Sequence, residues 1–162
     1  MSPFVGEFAG TALLIIMGAG VVANVLLTNT KGQNSGWIVI TFGWAMAVFI
    51  GVYASVKLGG SGHLNPAITI ALSLFGDFDS SLLLTYIAAQ FSGAIVGASI
   101  AWLAYKQHFD ATTDKDLKMA VFCNSPAIRN VGYNLITEII GTFVLTFGAL
   151  AMSQPSSTLG TL

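Results

Sequence analysis

Few side chains in this sequence can do chemistry, and they fall in unusual places. Asn65 and Pro66 open a short apolar segment, behind the glycine-rich run Gly59-Gly60-Ser61-Gly62 and His63. Asn is a favoured N-cap residue, and Pro suits the first helical position because its missing N–H costs nothing there. A helix beginning at Pro66 directs its free N–H groups and the positive end of its dipole toward Asn65. Asn65 can cap that helix and still aim its amide NH₂ at a passing group. Glu7 and Glu138 are single carboxylates inside apolar runs. Such groups serve either proton relay or buried hydrogen bonding, and the two readings stand side by side at this point. His63 has no second His, Cys or carboxylate near it in sequence, so a hydrogen-bonded structural role outweighs a metal or general-base role. Trp37 and Trp102 lie near the ends of apolar runs, where Trp anchors at the membrane interface. Trp44 lies a third of the way into its run, and its type and place fit either packing or a lining role.

The chain as a whole must be a membrane protein. It has 162 residues, 54% hydrophobic and only 8% charged, with a net charge of −1. The mean hydropathy is +0.78. Six basic and seven acidic residues cannot cover a water-facing surface, and no basic field exists to hold a nucleic acid. The single cysteine, Cys123, excludes an internal disulfide and a cysteine-built zinc site. No nucleophile–base pair or metal cluster is visible, which leaves an intramembrane enzyme without a reaction centre.

Four apolar runs are long enough to cross a bilayer: residues 4–28, 37–57, 81–106 and 131–152. A fifth, at 65–76, is not. As a helix it covers roughly 18 Å, about half the hydrocarbon core. Both of its ends then lie toward one side of the membrane, with its tip near the midplane. Such a re-entrant half-helix is tolerated only where its free end is buried in protein or lines a water-filled cavity. The closing Asp77 and Asp79 read as a solvated turn, and His108, in the polar loop 107–130, as a solvated side chain. Gln90, in the middle of a span, must bond to a neighbouring helix or half-helix. Gly6/Gly10 and Gly93/Gly97 mark faces for close helix packing.

Glu7-Phe8-Ala9-Gly10-Thr11 and Glu138-Ile139-Ile140-Gly141-Thr142 share Glu, Gly and Thr at one spacing, each early in a span. This reads as an internal repeat. The first unit, residues 1–130, holds span, span, half-helix, span and loop. Residues 131–162 hold the first span of a second unit, whose remainder is missing. Three full crossings reverse the starting side, so the second unit is inverted, with the symmetry axis in the membrane plane.

His63-Leu64-Asn65-Pro66-Ala67 with Thr69 matches the first Asn-Pro-Ala box of the aquaporins. Trp44-Ala45-Met46-Ala47-Val48 with Gly51 resembles the second helix of the glycerol facilitators. Glu7 and Glu138 match the buried acids that open the two repeats. The resemblance covers the chain from Phe4 to about Met152. Gly60-Ser61-Gly62-His63 departs from the usual Ser-Gly-Ala-His.

The resemblance implies an all-α integral membrane fold, an aquaporin-like inverted-repeat bundle with a re-entrant half-helix, incomplete in this chain. It implies a passive channel for glycerol, related polyols and water that excludes ions and protons, needs no cofactor and has no catalytic step. It implies a multi-pass protein of the plasma or inner membrane, a homotetramer, with the lipid bilayer and small neutral solutes as its partners. Carbonyls of Gly62, His63 and Leu64 would form a ladder of acceptors, Asn65 would donate at the midpoint, and Pro66 and Ala67 complete the box. Trp44 and Val48 would line the outer path, and Glu7 and Glu138 would hold loop N–H groups. The family topology also overrides the count of Lys and Arg, which by itself places the third loop in the cytoplasm.

Two other readings remain. An ion- or proton-coupled transporter could use the broken helix as its site, and would show currents or dependence on a proton gradient. A truncated, non-conducting fragment or subunit would only associate with other chains. The matched glutamates lie 131 positions apart (138 − 7). That offset puts a second Asn-Pro-Ala-like box near position ~196, facing the first tip to tip. Reconstituted by itself, the 162-residue chain is therefore expected not to conduct. Vesicle swelling in a glycerol gradient checks this, and channel-rate flux without a partner would refute it.

Overall fold

The computed structural model describes residues 1–151. It is all-α, with no strand among the described residues. Four long apolar helices are α1 (Pro3–Leu26), α2 (Trp37–Lys57), α4 (Leu83–Ala104) and α7 (Val131–Ala151). Between α2 and α4 lies α3 (Pro66–Phe75), with only 10 residues. A 3₁₀ turn at Ser80–Leu82 leads into α4. Asp79 caps that turn by accepting from the Ser81 N–H at 2.9 Å, which holds its carboxyl below the usual aspartate range.

Local chemistry sets the ends of these helices. Ser2 caps α1 by accepting from the Val5 N–H, and Pro3 follows at the first helical position. Asn65 caps α3 through Oδ1, which accepts from the Ala67 N–H at 2.8 Å, and Pro66 follows. At Asn29 and Asn34 the backbone enters the left-handed region, which Asn tolerates, and the chain turns back toward α2.

Helix α1 is the centre of the bundle. It packs against both α2 and α4, and half of its most apolar window is enclosed, against none of that of α7. Lipid tails give apolar helices no reason to associate, so close backbone approach must do it. The two small-residue faces do not meet each other. A methyl group at Gly93 would stand 2.4 Å from the Phe8 carbonyl oxygen, and one at Gly97 2.6 Å from that of Ala12. Gly10 instead faces α2, where a methyl would stand 2.7 Å from the Gly51 carbonyl oxygen. Helix α3 rests on α4 and α7, and α7 packs chiefly on α3.

The stretch 107–130, read from sequence as a polar loop, holds order of its own. It contains α5 (Lys106–Ala111) and α6 (Lys115–Ala120). Phe109 and Val121 are buried in one cluster with Ala19, Val22, Leu27, Ile40 and Ala101, which folds this segment over the end of α1. His108 is correspondingly not free in solvent. Its Nδ1–H donates to the Thr28 carbonyl at 3.0 Å, while the Thr28 N–H donates to Thr112 Oγ1 at 2.9 Å. Polar composition hid two apolar side chains that are enough to dock the segment.

In the 162-residue chain, Gly93→Ala is expected to lower stability by about 1–3 kcal/mol, because the obstruction is backbone and cannot turn aside. Gly141→Ala, which meets open space, should be neutral or slightly stabilising. Thermal unfolding in detergent compares the two, and equal losses would show that the Gly93 contact does not matter.

Candidate pore-lining site

The segment from Gly59 to Asn65 is irregular backbone inside the bundle, so each of its N–H groups needs a partner. Glu7, fully buried on α1, is the partner of those of Gly62, His63 and Leu64. Its Oε1 accepts from the Gly62 N–H at 2.9 Å and the His63 N–H at 3.1 Å. Ser55 Oγ on α2 donates to the same oxygen at 2.9 Å. Oε2 accepts from the Leu64 N–H at 2.8 Å and from Gln90 Nε2 on α4 at 2.9 Å. All five partners donate, which suits a carboxylate, an acceptor-only group.

Leu64 carries the bend that makes this possible. Its φ of +52° lies in the left-handed region, which costs a non-glycine residue roughly 1–2 kcal/mol. The Glu7 bond offsets that cost, and the side chain is held as well. A methyl at Gly10 would stand 2.7 Å from Leu64 Cδ2, and one at Gly51 2.9 Å from Leu64 Cδ1. Leu64 therefore plugs a notch that exists only because both residues are glycine. Gly62, at φ +74°, supplies the preceding turn.

Thr69, one turn into α3, joins the same network. Its Oγ1 donates to the Asn65 carbonyl at 3.1 Å and accepts from Gln90 Nε2 at 2.9 Å. His63 Nδ1 lies 3.2 Å from that hydroxyl. With its one proton given to Asn65, Thr69 can only accept, so Nδ1 carries a hydrogen. The His63 ring packs on Phe78 and Tyr86, with centroids 4.8 and 4.9 Å away, and Tyr86 Oη meets Ser61 Oγ at 2.9 Å. This is a buried, hydrogen-bonded histidine. Among the described residues no group of three His, Cys, Asp or Glu side chains can hold a metal.

With the N–H groups of residues 62–64 turned to Glu7, their carbonyls are left over. None of the three accepts a hydrogen bond among the described residues. Asn65 Oδ1 is occupied by the cap, and its NH₂ has no partner among them. These residues line a cleft of about 420 Å³ together with Pro66, Trp44 and Val48. Val52 continues the α2 stripe begun by Trp44 and Val48, at the same four-residue spacing. A second cleft of about 560 Å³ shares Val48, Val52, Gly62, His63 and Ile68 and extends toward Tyr53, Leu72 and α7. The two form one trough, bounded by α2 residues on one side and by residues of the re-entrant segment on the other. Ala67 is not on this wall; its N–H is the one Asn65 caps.

Glu138 is placed differently from the buried acid expected of it. It is exposed on α7, and no hydrogen bond reaches it among the described residues. The reason is physical: among the described residues no irregular segment presents N–H groups to α7 as residues 62–64 do to α1. Ser55, Thr69 and Gln90 complete the Glu7 network. Gln90 was legible as a polar group needing a partner, and Thr69 as part of the box. Ser55 carried no signal, being one small polar residue near the end of a span.

A multi-pass helical bundle with a capped half-helix, anchored by an intramembrane carboxylate, defines a narrow class of membrane proteins. Comparison with known proteins gives that class its name. The family model described as major intrinsic protein matches residues 1–161, and the chain belongs to that family. The chain is 53% identical over 152 residues to the probable glycerol uptake facilitator protein of Thermotoga maritima, a match covering 94% of this chain and 64% of that one. It is 44% identical to glycerol uptake facilitator protein 3 of Lactiplantibacillus plantarum, over 96% of this chain and 64% of that one. To the glycerol uptake facilitator protein of Bacillus subtilis it is 47% identical, over 99% of this chain and 58% of that one. The chain thus spans less than two thirds of the length of these relatives.

Glu7→Gln keeps the shape of the side chain but points an NH₂ at groups that themselves donate. It should cost at least about 2–3 kcal/mol, the worth of one or two hydrogen bonds to a charged group plus donors left unpaired. Thermal unfolding and protease cleavage between Leu58 and Asn65 report it. A variant as stable and as resistant as the parent would mean that Glu7 does not hold the segment.

Proposed function

We propose that the trough is one wall of a passive pore for small uncharged hydroxylated solutes, glycerol and related polyols with water, and that no catalytic step or cofactor is involved. The observation that carries this reading is the division of the backbone at residues 62–64: their N–H groups are spent on Glu7, and their carbonyls, with the Asn65 NH₂, are unpaired among the described residues at positions that line the trough. A hydroxyl both donates and accepts, so it suits carbonyl acceptors beside one amide donor. The apolar stripe of Trp44, Val48 and Val52 suits the carbon side of a polyol. A metal cation would need more ligands than one row of carbonyls to replace its hydration shell, and a proton would meet the positive end of α3. The names of the relatives support glycerol as the solute.

The proposal extends to the roles of the matched residues. Gly62, His63 and Leu64 act through their carbonyls, Asn65 donates at the midpoint, Pro66 and Ala67 set the helix start, and Trp44 and Val48 shape the outer part of the path. Residues 1–130 form the first of two inverted units, and residues 131–162 begin the second. The part beyond Ala151 lies outside the described residues. The assembled channel is a homotetramer in the plasma or inner membrane. A proton-coupled transporter finds no support in Glu7, whose two oxygens are fully engaged by structural donors.

Asn65→Asp tests the reading in the assembled channel. It removes the amide donor and places a carboxylate at the positive end of the helix. Glycerol-driven swelling of vesicles should fall, and cation currents, absent in the parent, should appear. Unchanged glycerol flux together with unchanged exclusion of cations would exclude a midpoint donor at this position.

A further inference from the structure

We infer that Gly18 sets the solute size limit at Trp44: it seats the indole against α1, and the depth of that seat fixes the free width of the trough. The inference rests on the reading of the trough as the path of the solute. A methyl group at Gly18 would stand 2.3 Å from Cζ3 of Trp44, and 2.5 Å from both Cε3 and Cη2. All three atoms belong to the six-membered half of the indole, which therefore lies directly on the Gly18 backbone.

The neighbours of Gly6 and Gly10, earlier on α1, are of another kind. At Gly6 the three nearest atoms are backbone of Gly60 and Ser55, and at Gly10 the Gly51 carbonyl is among them. A methyl there would force segments apart. At Gly18 all three belong to one side chain, so a methyl would move the indole instead. Ordinary carbon–carbon contact begins near 3.5 Å, so the ring would have to retreat by about 1.2 Å. Trp44 also packs against the cluster that includes Ala19 and Val22 of α1 and Ile40 of its own helix. The open space next to it is the cleft it lines. The substitution therefore moves one wall of the trough inward by about an ångström, without touching Asn65 or the carbonyl row.

The test uses the full chain in its assembled form, with every other Trp, Trp37 and Trp102 among them, changed to Phe so that Trp44 is the single emitter. Acrylamide quenching reports the indole and needs no transport. Swelling in glycerol against water gradients reports the width. In Gly18→Ala, quenching should rise, and the glycerol-to-water permeability ratio should fall about tenfold, the scale on which one methylene discriminates in a tight site. In a Trp44→Phe background, which lacks the outer ring, adding Gly18→Ala should leave the ratio unchanged. Should Gly18→Ala alone fail to fold while the version with Trp44→Phe folds, the collision is with the indole and the seat stands. Unchanged quenching in a folded Gly18→Ala overturns the inference, as does an equal fall in the ratio with and without the indole. If quenching shifts but the parent carries neither solute, the channel reading fails and the indole seat alone survives.

Discussion

Everything near the midplane depends on where three backbone N–H groups go. Residues 62–64 enter the membrane as irregular chain, and in lipid each unpaired donor costs several kcal/mol. Glu7 takes all three and adds Ser55 and Gln90, so one side chain on α1 ties together α2, the re-entrant segment and α4. A carboxylate without a cationic partner is itself expensive at this depth. Five donors offset that cost. With those donors spent on Glu7, the carbonyls of the same residues are without a hydrogen bond among the described residues, and all three residues line the trough.

The same helix is fixed by glycine. Gly10 admits Gly51 and the Leu64 side chain, and Gly93 and Gly97 admit the α1 carbonyls of Phe8 and Ala12. These contacts set how close α2 and α4 come to Glu7, and so whether Ser55 and Gln90 can reach it at all. Packing and polar network are one constraint here. A methyl at Gly93 would push away the helix that carries Gln90, whose amide also orders Thr69 and through it the first turn of α3.

Much of this was legible in the residues because it is local. Length and apolarity give the four long helices, and shortness gives α3. Asn65 followed by Pro66 gives its cap to the residue. The resemblance gave Glu7 loop N–H groups as partners, but that Ser55 and Gln90 join them was not legible, since they lie 48 and 83 positions away and nothing in a scatter of small polar residues says which converge. The left-handed Leu64 was hidden for the same reason: its conformation is held by the Glu7 bond and a two-glycine notch, not by its own preference. The ordered segment after α4 was masked by its charges, although Phe109 and Val121 decide its position.

The two matched stretches that begin at Glu7 and Glu138 show what a local pattern can and cannot specify. Glu, Gly and Thr recur at the same spacing on α1 and α7, yet one glutamate is fully enclosed and the other exposed. The pattern supplies an acceptor with a notch one turn along; burial comes from what is brought to it. At Gly10 the notch holds Leu64, whereas Gly141 has nothing within 4 Å. Under the proposed inverted repeat, the partner of α7 is therefore defined by chemistry before any sequence is known. It must bring several backbone donors to Glu138 and a side chain to Gly141, and enter from the opposite face of the membrane. Its own leftover carbonyls would then continue the row that begins at Gly62, so that the two walls share one axis.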